Sequence, residues 1–181
     1  MIFLRHPTPD IAPGVCYGQT DMDIAEEGHA QIEEALATTP PLTHIVASPA
    51  LRCRKLAQKL AEKNNLTFTT DPRLWEMNMG DWEGIAWKNI NIDLTTKWLG
   101  DAHHNATPNG ESFAQVELRV ARCISDILAT GLSDQASTAI ICHASPIRAT
   151  QMAWEGLSFK QAFNQAPPYA TPIHIVPPSQ T

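Results

Sequence analysis

An arginine beside a histidine, Arg5-His6, closes the first apolar run of the 181-residue chain. A positive side chain there can hold an anion against a nucleophilic or acid–base imidazole. A second histidine, His143, closes another apolar run directly after Cys142, Arg52 follows Ser48-Pro49, and Glu76 ends the segment Arg73-Leu74-Trp75-Glu76. By itself Arg5-His6 is a weak signal, and a structural histidine satisfied by its surroundings accounts for it equally well. The set says more. Two arginines and two histidines at strand ends and helix starts suit a phosphate, because guanidinium forks spread positive charge over its oxygens without a metal. Nearby arginines favour the uncharged imidazole, so His6 is expected to titrate below its ordinary range.

Such groups need elements that bring them together. Ile2 to Leu4, Ile45 to Ala47 and Ala139 to Cys142 read as buried strands, being short, β-branched and bounded by turn residues, with a fourth at Ile173 to Val176. Between them lie helical faces: Ala25, Gly28, Ile32, Ala35 and Leu36; then Cys53, Leu56, Ala57, Leu60 and Ala61; then Phe113, Val116, Val120, Ile124, Ile127 and Leu128. The alternation predicts a three-layer α/β/α sandwich around a mostly parallel central sheet, as a single domain over residues 1–181. Ser48-Pro49 and Ser145-Pro146 both read as an N-cap serine followed by proline at the first helical position. Each junction falls at the carboxyl end of a strand, where open α/β sheets bind ligands, and each has an arginine nearby, Arg52 or Arg148. The tail-like end runs from Pro177 to Thr181.

Other residues take plainer readings. Cys142 through Arg148 has the C-x5-R spacing of cysteine phosphatases, but Pro146 removes a loop donor, glycine is missing and Cys142 belongs to an apolar strand, so an inert thiol is expected. Cys16, Cys53, Cys123 and Cys142 lack C-x-x-C spacing and read as reduced, buried thiols, and no metal site is expected. His29 and His44 read as surface or capping residues, His103-His104 as an exposed loop, Arg54 as a solvated charge and Arg148 as structural. The five tryptophans read as core or pocket wall.

Six motifs, in order along the chain, resemble the histidine phosphatase superfamily, the phosphoglycerate mutase-like group. They are Leu4-Arg5-His6; Tyr17-Gly18-Gln19-Thr20-Asp21; Ser48-Pro49-Ala50-Leu51-Arg52-Cys53; Leu74-Trp75-Glu76 with Gly80-Asp81-Trp82-Glu83-Gly84; Pro108-Asn109-Gly110-Glu111-Ser112; and His143-Ala144-Ser145-Pro146-Ile147-Arg148. The resemblance implies a phosphoglycerate mutase-like fold and a phosphohistidine intermediate on His6. It implies phosphate oxygens held by Arg5, Arg52 and His143, and Glu76 as the acid for the leaving alkoxide and the base for water. It also implies contacts from Gln19 and Thr20 to the phosphate or its ester oxygen, with no cofactor and no metal. Two positions depart from the pattern, Pro7 and Ala144 standing where the family commonly has glycine.

The chain is short between Gly84 and Pro108, which favours hydrolysis over mutase chemistry. The segments Arg5 to Pro9 and Cys16 to Asp21 are most similar to the α-ribazole phosphatase branch, which removes the 5′-phosphate of α-ribazole phosphate in cobalamin nucleotide-loop assembly. The alternatives are a broad-specificity phosphatase, a phosphoglycerate mutase, and a non-catalytic binder of phosphorylated ligands, against which the retained Glu76 argues. The expected partner is a small phosphorylated metabolite. A net charge of −6 argues against nonspecific nucleic-acid or membrane binding, and 43% hydrophobic content argues against disorder. With neither an ordinary signal peptide nor a membrane-length apolar run, a cytoplasmic protein is expected. Oligomeric state is not legible in the sequence.

Overall fold

Successive strand residues point to opposite faces of a sheet, and here both faces are apolar. Ile2, Leu4, Ala139 and Ile141 pack into one buried cluster, while Phe3, Ile140 and Cys142 pack into a second. The computed structural model describes residues 1–130 and 137–177, so the end of the tail from Pro178 lies outside the described residues. Its sheet has five strands, β1 (Ile2–Arg5), β2 (His44–Ala47), β3 (Thr69–Thr70), β4 (Thr138–Cys142) and β5 (Pro172–His174), in the order β3-β2-β4-β1-β5. All pairs are parallel except β1 with β5.

Helices α1 (Glu26–Thr38) and α2 (Leu51–Asn64) cover the first face through Ile32, Ala35, Cys53, Leu56 and Leu60. Helices α4 (Phe113–Ala129) and α5 (Ala144–Glu155) cover the second through Phe113, Val116, Val120, Cys123, Ile124 and Ile147. This is the expected three-layer α/β/α sandwich around a mostly parallel sheet. Two short helices, α3 (Ile92–Gly100) and α6 (Phe159–Phe163), stand outside the layers. Among the described residues no helix is long and apolar enough to cross a membrane.

The strand pattern located four strands. The two-residue β3, both of whose residues are exposed, carries no hydrophobic signal. Both proline junctions differ from the expected caps. The N-cap of α2 is Ala50, and Ser48 instead places its hydroxyl 2.8 Å from His143 Nε2. Helix α5 begins at Ala144 with His143 as N-cap, so Ser145 lies within the first turn. The Ser48 hydroxyl thus reaches His143 while still accepting a long bond from the Ala50 amide, at 3.4 Å, and the Ser145 amide donates to Glu76. Helix α4 does carry a side-chain cap, Ser112, in a reciprocal capping box with Gln115.

Candidate active site

Three adjacent strands of the sheet, β2, β4 and β1, end side by side. Arg5 pairs with Cys142 in the β1–β4 register, and the amide of His6 donates to the Cys142 carbonyl at 3.0 Å. The amide of Ser48 donates to the Ile141 carbonyl at 2.8 Å. The ladder thereby delivers His6 and His143 to one place, with ring centroids 5.0 Å apart at 62°.

His6 has no exposed surface. Its Nδ1 lies 2.7 Å from the carbonyl of Pro7, and since a carbonyl only accepts, Nδ1 carries the proton. Nε2 then presents a lone pair, and it is buried without a hydrogen-bond partner. Pro7 removes an amide donor but still supplies the acceptor that sets this tautomer. Burial, followed by the charge of Arg52, holds His6 well below the ordinary histidine range, outweighing the Pro7 bond that acts the other way.

His143 is also buried, and it too is pushed well below the ordinary range, first by desolvation and then by His6 and Arg52. Arg52 Nη2 lies 3.3 Å from His143 Nδ1. Because a guanidinium only donates, Nδ1 accepts, and Nε2 donates to Ser48 Oγ. Trp75 stacks on the ring at 5.9 Å and 10°.

Arg52 is 0% exposed, donates to the carbonyls of Thr20 and Gly18 at 2.9 Å each, and has a buried Nε without a partner. Arg5 donates to the Pro167 carbonyl at 3.0 Å and to the Tyr169 hydroxyl at 3.1 Å, with its guanidinium carbon 3.9 Å from the Tyr169 ring centroid. Among the described residues neither arginine forms an ion pair. A buried cation without a carboxylate is costly unless an anion visits it.

Glu76 lies at the N-terminus of α5. Its carboxylate accepts from the amides of Met77, Ala144 and Ser145 at 2.9, 3.2 and 3.1 Å. The helix start expected to meet an external anion is thus filled by the protein's own carboxylate, and the Ala144 amide is one of its donors. Gln19 and Thr20 sit on the loop that holds Arg52. Gln19 Nε2 donates to the Glu76 carbonyl at 3.1 Å, and the Thr20 hydroxyl binds the Glu83 carboxylate. A Cβ at Gly18 would come within 2.2 Å of the Met77 carbonyl, so glycine alone permits this close crossing.

Sequence reasoning assigned no part to four of the groups that hold this arrangement. Burial pushes the Glu83 carboxyl up, but the bond from the Thr20 hydroxyl and those from the amides of Gln19, Met79 and Thr20 together hold it below the usual carboxylate range. Arg119 binds Glu111 and donates to the carbonyls of Arg73, Trp75 and Glu76 from 43 to 46 residues away. Ser48 was read as a cap, and Tyr169 carries no motif. Glu83, Glu111 and Ser48 lie inside the motifs shared with the superfamily, which is the one signal the sequence carries for them.

The remaining readings resolve simply. Arg54, His29 and His44 are exposed. His103 is not on an exposed loop. It is half-buried, 2.5 Å from Glu117 and stacked on Phe159 at 5.2 Å, because the aromatic residues there cover it, whereas His104 is exposed beside Asp101. Arg148 donates to the Ala162 and Gln165 carbonyls. Cys142 is fully buried, and desolvation pushes its thiol well above the ordinary range, which removes it as a nucleophile. Cys53 is pushed up to about 12 by burial. Among the described residues no group of three or more His, Cys, Asp or Glu side chains is placed to hold a metal ion.

Two buried histidines held below their ordinary range thus lie beside Arg5, at the end of β1, and Arg52, in the first turn of α2, an arrangement suited to an anion. The model of the histidine phosphatase superfamily (branch 1) matches residues 1–177, and the chain belongs to that superfamily. It is 32% identical over 137 residues to a glucosyl-3-phosphoglycerate phosphatase of Mycobacterium tuberculosis, covering 72% of this chain and 60% of that protein. The chain therefore matches about three fifths of that relative's length. It is 26% identical over 168 residues to phosphoserine phosphatase 1 of Hydrogenobacter thermophilus, covering 89% and 78%. The solved structure of the α-ribazole phosphatase from Shigella flexneri has the same fold, with a TM-score of 0.82 at 18% identity over 94% of this chain and 87% of that one.

Proposed function

We propose that this protein is a metal-independent phosphomonoesterase working through a phosphohistidine on His6. The observation that carries this is the buried pair of a partnerless His6 Nε2 and an Arg52 guanidinium lacking any carboxylate. Nε2 attacks phosphorus while the bond from phosphorus to the ester oxygen breaks, and Glu76 gives that oxygen its proton. Water then attacks the phosphohistidine, returning a proton to Glu76 and releasing inorganic phosphate. Arg5 and Arg52 hold the oxygens, and His143 joins them by taking up a proton at Nδ1 as the phosphate dianion enters, with Gln19 and Thr20 on the loop that holds Arg52. Since His6 has no exposed surface, phosphate entry requires Arg5 and Tyr169 to give way.

The substrate we propose is α-ribazole 5′-phosphate, a small metabolite handled in the cytoplasm during cobalamin nucleotide-loop assembly. The Arg5 to Pro9 and Cys16 to Asp21 segments support it. The 32% identity to a glucosyl-3-phosphoglycerate phosphatase favours a second reading, a phosphatase of wider ester range.

The test is phosphate release from α-ribazole 5′-phosphate, 3-phosphoglycerate and an aryl phosphate in excess EDTA, wild type beside His6→Ala. Turnover of the first in EDTA, lowered on the order of 10⁴-fold or more by the substitution, is expected. Turnover of the aryl ester alone would discard the cobalamin assignment and keep the mechanism. Activity that survives His6→Ala would discard the mechanism itself.

A further inference from the structure

We propose that the cavity beside the phosphate pocket is a slot for the alcohol half of the ester, and that it selects alcohols carrying a planar aromatic ring. This rests on the phosphatase reading for the position of the phosphate. The cavity has a volume of about 590 Å³ and reaches Arg5, Tyr17 and Glu76. Its walls are two largely aromatic groups from different elements. Trp87, Trp98 and Leu99 come from the segment leading into α3 and from α3 itself, and Phe113, Phe159 and Phe163 come from α4 and α6.

Each wall is braced from behind. Trp98 meets Trp82 edge-on at 5.6 Å and stacks near Trp87 at 6.2 Å and 29°. Phe159 contacts Phe113 at 5.3 Å and Phe163 at 4.3 Å, and His103, tied to Glu117, stacks behind it. Rings held this way offer flat faces at little entropic cost to a ligand ring. The mouth is apolar as well, with Trp87 41% and Leu99 66% exposed, surface that a ligand ring would cover.

Charge on the wall points the same way. Apart from Arg5, the one cation lining the cavity is Arg148, whose guanidinium lies 4.3 Å from the Phe163 ring centroid and donates to the Ala162 and Gln165 carbonyls. A carboxylate on the substrate in addition to the phosphate, as in phosphoserine or phosphoglycerate, would meet a cation already engaged with the neighbouring helix α6 and the residues after it.

The test uses three esters with the same kind of leaving alkoxide: ethyl, benzyl and 2-naphthylmethyl phosphate. In wild type, kcat/KM is expected to rise about tenfold for each step up in ring size. Trp98→Ala and Phe159→Ala should each collapse the naphthylmethyl-to-ethyl ratio toward one, and Trp98→Phe should restore most of it. The ratio is taken within one preparation, so a partly unfolded variant does not distort it. A flat series in wild type, or a ratio unchanged in both alanine variants, would overturn the slot. If no ester turns over, the phosphohistidine reading falls, and the slot is then judged by calorimetry with non-hydrolysable phosphonates. 2-Naphthylmethylphosphonate binding about tenfold tighter than methylphosphonate would uphold the slot, and equal affinities would reject it.

Discussion

The phosphate pocket and the aromatic cavity touch, but they are built in opposite ways. The pocket grows from the ends of three core strands, its histidines and Arg52 fully buried and its polar atoms tied to backbone carbonyls and amides. The cavity is framed by α3, which buries no residue, and by the five-residue α6. A pocket on the sheet cannot shift without breaking the ladder, so it suits chemistry that every ester shares. A wall carried largely on short helices outside the three layers can vary in sequence with little cost to the core, so it suits discrimination among esters.

Arg52→Lys gives this comparison its sharpest test. Lysine is a point charge and cannot span the carbonyls of Gly18 and Thr20 while also reaching His143 Nδ1. A fall in kcat/KM of about 10²- to 10³-fold is expected, shared by ethyl, benzyl and naphthylmethyl phosphates alike. Steady-state kinetics on the three esters would read it. A selective loss on the aromatic esters would mean that pocket and cavity are not separate devices.

This difference also decides what the sequence revealed. His6, Arg52 and His143 were readable because strand ends and helix starts have local signatures, and Arg5-His6 and Cys142-His143 each close an apolar run. Glu76 stood out only as part of a set, since its neighbours form a short 3-10 turn with no periodicity. The carbonyl partners of Arg119 lie more than forty residues away, and no spacing rule spans that distance. The aromatic walls were harder still. Trp98 and Phe159 are 61 positions apart and meet one cavity only through the fold. Ser48 misled for a physical reason: its hydroxyl serves either a helix end or a buried histidine, and the buried histidine has fewer other partners.

A smaller effect separates the regions by pH. Burial first, and then neighbouring positive charge, keeps His6 and His143 well below the ordinary value in the folded protein, while the unfolded chain restores about 6.5. Between those values the unfolded state binds more protons, so stability rises with pH up to about 6.5 and is lost as pH falls below it. Each histidine contributes a slope on the order of 1 kcal/mol per pH unit in that window. Thermal melts from pH 7 to pH 5 should therefore show a falling Tm. Trp98→Ala should lower Tm by a similar amount at both ends, because the cavity wall it belongs to does not titrate with the histidines. A wild-type Tm that does not change over this range would contradict the neutral, buried assignment of both rings.

Ser48→Ala probes the smallest link, one hydroxyl 2.8 Å from His143 Nε2. Ser48 is a positioning residue: it fixes which ring nitrogen faces Arg52 and, through Arg52, the phosphate. Removing it leaves the Nε2 proton buried beside the Cys53 sulfur at 3.6 Å, a poor acceptor. The cost of that unmet donor is about 1 kcal/mol, or a fall in kcat of roughly fivefold. KM should move less, since Arg5 and Arg52 still hold the ground-state phosphate, and Ser48→Thr should recover most of the loss. The naphthylmethyl-to-ethyl ratio should not move, because neither Ser48 nor His143 lines the leaving-group slot. A change in that ratio would show that the orientation of His143 is felt in the aromatic walls, and the division between a fixed pocket and an adjustable cavity would fail.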